Sequence, residues 1–236
     1  MSVTVFLALS LLVGTAAFVQ GAVGIGFALI MAPVFGFFDA SYLPVTLLVL
    51  MLPLNFLVAW RERGAIDRRG TGWITAGRFV GTFLGMAVLV ALSVRQLEIA
   101  VGLLTVLAAA VALMSPPFDP SPKVSLGVGL FTGVTETATG IGGPPLALLY
   151  QHAPGPVLRA TVASCFLIGE VISLVILLIA GRVQMAQVEA AALLIPAVLV
   201  GSLLSRRVHA HINGPGLRLA VLIFSIVSGL ALMLKG

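Results

Sequence analysis

The sequence predicts an all-α polytopic membrane protein with about eight hydrophobic segments. They form two inverted repeats, each a broken re-entrant hairpin helix plus three transmembrane helices. Three observations carry that reading. Hydrophobic residues make up 60% of the chain and charged residues 9%, with mean hydropathy +1.18, outside the range of water-soluble domains. One motif is written twice, as QGAVGIGFALIMAPV at Gln20–Val34 and ETATGIGGPPLALLY at Glu136–Tyr150. The basic residues cluster in short loops between apolar runs, as orientation signals do. That distribution makes no basic face with interleaved aromatics, so a nucleic-acid partner is excluded despite the net charge of +5.

Taken in order, Val3–Val19 leads into the first glycine break, and a short apolar piece, Phe27–Phe38, follows it. Tyr42–Trp60, Trp73–Leu92 and Leu97–Met114 complete a first repeat spanning 1–115. The stretch SPPFDPSPK at Ser115–Lys123 is a loop by its turn residues, with 116–123 as the linker. The second repeat, 124–236, runs through Val124–Thr139, a second break and short Pro144–Tyr150. Ala160–Ala180, Ala186–Leu204 and Leu217–Leu234 complete it. Gly64-Ala65-Ile66-Asp67 and Gly181-Arg182-Val183-Gln184 match more weakly. No Lys or Arg precedes the first apolar run, so a cleaved signal peptide is disfavoured.

Charge decides between parallel and inverted repeats. If each motif segment crosses the bilayer once, Arg95, Arg159, Arg206 and Arg207 fall outside. If each enters and returns on one side, Arg61, Arg63, Arg68, Arg69, Lys123, Arg159, Arg206 and Arg207 are all cytoplasmic. Arg95, Arg182 and Lys235 are then external, with Arg78 and Arg218, inside helix segments, left out. The second arrangement inverts one repeat relative to the other and puts the N-terminus outside. Val3–Val19, at about 25 Å, is long for a hairpin arm.

The two hairpins then enter from opposite faces and bring their glycine tips together near the bilayer centre. Each tip precedes a short helix, from Phe27 in one half and from Pro144 in the other, where proline suits the first turn. Unpaired N–H groups and the positive helix ends make an anion site from backbone alone, needing no buried Lys or Arg. Gly21, Gly24, Gly26, Gly140, Gly142 and Gly143 let the chain turn and approach a ligand closely, although small residues also serve helix packing. Packing is the reading for Gly81 and Gly85. The candidate substrate-binding residues are Gln20, Gly24, Gly26, Phe27, Thr135, Glu136, Thr139, Gly140, Gly142, Gly143 and Pro144. Thr135 and Thr139 could donate to an oxyanion or bond the carbonyl one turn back.

Glu136 and Glu170 lie within apolar segments, where a carboxylate is costly and faces a cavity or a partner. Low-dielectric surroundings disfavour the charged form, so both are candidates for proton coupling, against a role in joining helices. Arg78 is expected to snorkel to the cytoplasmic interface, with the anion path as the alternative. Asn55 is open between an interhelical hydrogen bond and a site group. His152, His209 and His211 lie at segment ends without metal-ligand spacing. Cys165 has no intrachain partner. HExxH and GxSG are absent, so the chain reads as a non-enzyme needing no cofactor.

The stretches FVQGAVGIGFALIMAPVFGF and FTGVTETATGIGGPPLALLY, with the segment count and chain length, resemble the TauE/SafE sulfite-exporter family of membrane permeases. The resemblance implies a carrier in the bacterial inner membrane for small sulfur-containing anions such as sulfite, sulfoacetate or other organosulfonates, often exported. Members commonly carry a glycine triplet in the second motif, and this chain reads Gly142-Gly143-Pro144 there. The implied partners are a small anion and membrane lipid, and a homodimer is compatible. The nearest rival is a cation or metal carrier using Glu136 and Glu170 as ligands.

Overall fold

A computed structural model describes residues 3–114, 120–208 and 215–235, with the side chains of 207, 208 and 215–218 left aside. Linker residues 115–119, His209, His211 and the side chains of Arg207 and Arg218 therefore lie outside the described residues.

Helix accounts for nearly all of the described chain, and no strand occurs among those residues. The first half holds α1 (Val3–Val23), α2 (Phe27–Asp39), α3 (Val45–Arg61), α4 (Arg68–Ala91) and α5 (Val94–Met114). The second holds α6 (Pro122–Thr139), α7 (Gly143–Tyr150), α8 (Gly155–Ile179), α9 (Met185–Val208) and α10 (Pro215–Leu234). Several helices begin earlier than hydropathy predicts, because caps carry them into polar sequence. At α4 the Asp67 carboxylate accepts the Gly70 N–H at 2.9 Å. At α6 the Ser121 hydroxyl accepts the Val124 N–H, and Pro122 occupies the first turn.

Among the described residues, five helices are long and apolar enough to cross a membrane: α1, α4, α5, α8 and α9. The helices α2 and α3 and the Leu219–Leu234 part of α10 are apolar but shorter. Large apolar side chains cover the outside, among them Phe79, Val80 and Phe83 of α4 and Leu193 and Val200 of α9. Such a surface is a liability in water and ordinary against lipid.

Without a hydrophobic drive between helices in lipid, close approach comes from small residues. α4 runs along α6 on a glycine seam. A Cβ at Gly81 would strike the Leu130 carbonyl, and one at Gly129 would strike that of Ile74. One at Gly85 would lie 2.5 Å from the Val134 carbonyl. Gly81 and Gly85 thus pack helices, as their spacing predicts. α1 lies on α9 in the same way, with Gly14 against Gly201. α5 and α10 meet at Gly102 and Gly229, each of whose added Cβ would reach the other's carbonyl, at 2.6 and 2.8 Å.

The bundle has two polar ends. At one, Arg159 pairs with Glu62 at 3.0 Å, Arg61 pairs with Glu62 at 3.4 Å, and the Tyr150 hydroxyl donates to Asp67 at 2.8 Å. Arg63 and Arg206 line a depression with Arg61 there, and Arg63 lies 4.7 Å over the Trp60 ring. At the other, Lys235 and Arg95 pair with Glu98 at 3.0 and 3.3 Å, and Lys235 donates to the Gly36 carbonyl. The 24 residues of α4 separate them by about 36 Å.

The seam predicts that Gly81→Ala lowers thermal stability in detergent by about 1–3 kcal/mol, the cost of overpacking. Gly127 is the control. It lies on α6 with nothing within 4 Å of an added Cβ, so Gly127→Ala should be neutral or slightly stabilising through helix propensity.

Candidate functional site

The two breaks share a local geometry. The Gly24 N–H donates to the Gln20 carbonyl, and the Gly140 N–H donates to that of Glu136, both at 2.7 Å. Gly24 and Gly140 adopt φ of +97° and +82°, a left-handed conformation that costs other residues about 1–2 kcal/mol. The non-helical backbone is narrower than the motif. α1 continues to Val23, so Gln20 and Gly21 are helical. Gly21 belongs to packing instead of the turn, since a Cβ there would collide with Ser205 of α9.

The breaks adjoin each other. A Cβ on Gly143 would lie 4.0 Å from Ile25 and 3.8 Å from Phe166. All the predicted binding residues, Gln20, Gly24, Gly26, Phe27, Thr135, Glu136, Thr139, Gly140, Gly142, Gly143 and Pro144, are buried, as is Glu170. An apolar cavity of about 380 Å³ borders the second break, lined by Leu104, Phe131, Thr135, Ile141, Pro144 and Leu148.

The motif-mates Gln20 and Glu136 do different things. Gln20 Oε1 accepts the Phe27 N–H at 3.0 Å, so this side chain caps α2. Its Nε2 donates to Asn55 Oδ1 at 2.9 Å, and Asn55 Nδ2 donates to Glu170 Oε1 at 2.6 Å. A directed chain of hydrogen bonds therefore links the first break to α3 and α8. Asn55 takes the interhelical role.

Glu136 instead pairs with Arg78 of α4, Nη2 to Oε2 at 2.7 Å, both side chains 0% exposed. Arg78 thus does not snorkel. Its helix begins at Arg68, which places it about 15 Å inside, beyond the reach of its own stem to the interface. The region of the second break accordingly holds a buried cation, whereas the motif alone implied backbone donors without a buried Lys or Arg. Space for the guanidinium comes from Gly169, where a Cβ would overlap it, and Phe166 lies 5.6 Å from it. Gly142 makes matching room for the carboxylate, since a Cβ there would collide with Glu136 Oε2.

Arg78 Nε and Nη1, Thr132 Oγ1, Glu136 Oε1 and Glu170 Oε2 are buried without a hydrogen-bond partner among the described residues. The Thr135 and Thr139 hydroxyls bond the Thr132 and Thr135 carbonyls within α6, at 3.4 and 2.7 Å. His152 is exposed, and no group of three metal-ligating side chains occurs among the described residues. Arg78 is the residue that sequence reasoning placed elsewhere. Its signal was an arginine between Gly77 and Gly81 on an otherwise apolar helix.

Gln20→Leu should leave the Phe27 N–H and Asn55 Oδ1 without partners at a cost of about 1–3 kcal/mol. A lowered melting temperature in detergent is the check, and unchanged melting would contradict the capping role.

The family model for sulfite exporter TauE/SafE matches residues 7–232 of this chain. No curated protein and no solved structure matches it. The match spans nearly the whole helical bundle, including both breaks, and the chain belongs to the TauE/SafE sulfite exporter family of membrane transporters.

Proposed function

We propose that this protein is a secondary transporter that exports small sulfur-containing anions, sulfite or organosulfonates such as sulfoacetate, across the bacterial inner membrane in a proton-linked cycle. The observation that carries the reading is a pair of adjoining glycine breaks, each opening a short helix inside an otherwise enclosed bundle. The start of α2 offers backbone N–H groups with a partial positive charge. The start of α7 offers those of Gly143 and Leu146 in its first turn, because Pro144 and Pro145 have none.

Helix pairing supports two repeats, 1–115 and 124–236, around the site. α1 packs on α9 as α6 packs on α4, α3 on α9 as α8 on α4, and α2 on α10 as α7 on α5. Exchanging the halves leaves this pattern unchanged. α2 finishes beside Lys235, at one polar end, and α7 finishes beside Asp67, at the other. That supports hairpins entering from opposite faces, hence inverted repeats. The end holding Arg61, Arg63, Arg159 and Arg206 is then cytoplasmic.

Glu136 and Glu170 are the proton-coupling candidates, since both are enclosed and Glu170 interacts electrostatically with Glu136 and Arg78. The cation-carrier reading is weaker here, because Glu136 is already engaged by an arginine.

The test is flux of radiolabelled sulfite, sulfoacetate and thiosulfate in proteoliposomes, with and without a pH gradient. Saturable anion flux that responds to the gradient is expected. Gly142→Leu should abolish it by filling the space of the Glu136 carboxylate, and Glu136→Gln should remove the response to the gradient. Cation flux without any anion flux would overturn the assignment.

A further inference from the structure

We propose that Arg78 binds the anionic group of the substrate, and that Glu136 is an internal counter-anion exchanged for it. The inference rests on the anion-carrier reading and specifies its binding group. A guanidinium has five N–H donors in a planar fork that suits oxyanions. Here that fork is wholly enclosed, and while Nη2 lies 2.7 Å from Glu136 Oε2, Nε and Nη1 make no hydrogen bond among the described residues. Buried polar groups are ordinarily satisfied, so a cation this deep with idle donors is set for a ligand that engages more of them.

The surroundings of the Glu136 carboxylate are those of an oxyanion site. Thr132 precedes it by one helical turn on α6 and has its hydroxyl idle. Gly142, whose added Cβ would lie 2.8 Å from the Thr132 methyl, brings the start of α7 against both. Arg78, the Thr132 side chain and the start of α7 thus lie around one carboxylate. A sulfite or sulfonate group carries three oxygens where a carboxylate carries two. Two can take the guanidinium fork while the third reaches Thr132 or the α7 backbone. The α2 end differs, because Gln20 already caps it. The charged subsite therefore belongs to the second break.

The exchange keeps charge in balance. When a monoanion takes Arg78, Glu136 swings away and gains a proton, so one cation still faces one anion. Arg78 on α4 and Glu170 and Cys165 on α8 are the charged or titratable groups facing Glu136.

Equilibrium binding of radiolabelled sulfite to the full-length detergent-solubilised protein tests this. Removing Arg78 alone leaves a buried carboxylate unpaired and can impair folding, so Arg78→Gln/Glu136→Gln is the informative variant, with melting and monodispersity checked. It should fold and bind at least about 100-fold more weakly than the unaltered protein. Arg78→Lys, which keeps the charge but loses the fork, should bind about tenfold more weakly. Glu136→Gln should bind more tightly, by about tenfold, with a flattened pH dependence. Full binding by the folded double variant would overturn the role of Arg78 while leaving the anion-carrier reading intact. Absence of sulfite, sulfoacetate and thiosulfate binding by the unaltered protein would overturn both.

Discussion

An ion pair with no access to water is tenable in a helical bundle only if each charge meets the other and the backbone leaves room for both. The contact between Arg78 and Glu136 meets that condition at 2.7 Å, and much of the surrounding architecture follows from it. Gly169 clears space for the guanidinium and Gly142 for the carboxylate. The seam that joins α4 to α6 brings their two helices close enough to pair. Bulk on that seam would separate the helices and leave two charges unpaired in a low-dielectric interior. Packing and electrostatics are therefore coupled through the same glycines.

The breaks depend on the same enclosure. Backbone that stops being helical in an apolar setting has to be surrounded by protein or by a wet cavity. Here each break is held by a 2.7 Å bond back into the preceding helix, and the two lie against one another through Ile25 and Gly143. Gln20 and Glu136 occupy matching places in the motif but have diverged in chemistry. One is a neutral amide that finishes a helix end and relays through Asn55 to Glu170. The other is an acid tied to a cation on a different helix. That asymmetry gives two similar turns different electrostatic characters: the second carries a fully enclosed ion pair, whereas Arg61 and Arg159 lie beside the first at the polar end.

Much of this is legible in the sequence. Hydropathy marked every apolar run. Glycine, proline and the repeated Ile-flanked motif marked both interruptions, because turn geometry is a local property of a few residues. Helix starts were less well read. Asp67 and Ser121 carry α4 and α6 into polar sequence through side-chain caps, and a hydropathy profile registers only the apolar middle. Counting depth from the apolar run instead of the true helix start also put Arg78 too close to the interface. The same foreshortening made Gln20 and Gly21 look like part of the turn, when α1 runs through them.

What the sequence by itself determined is the all-helical membrane character, the place of each break, and the set of polar residues too costly to be incidental. These follow from composition and near-neighbour conformational preference. The tertiary structure alone decided which of those polar residues meet. Arg78 reaches Glu136 across the α4–α6 seam, and Asn55 bridges Gln20 to Glu170 between three helices. Such partnerships depend on the relative rotation and depth of helices distant in the chain, and no local pattern encodes them.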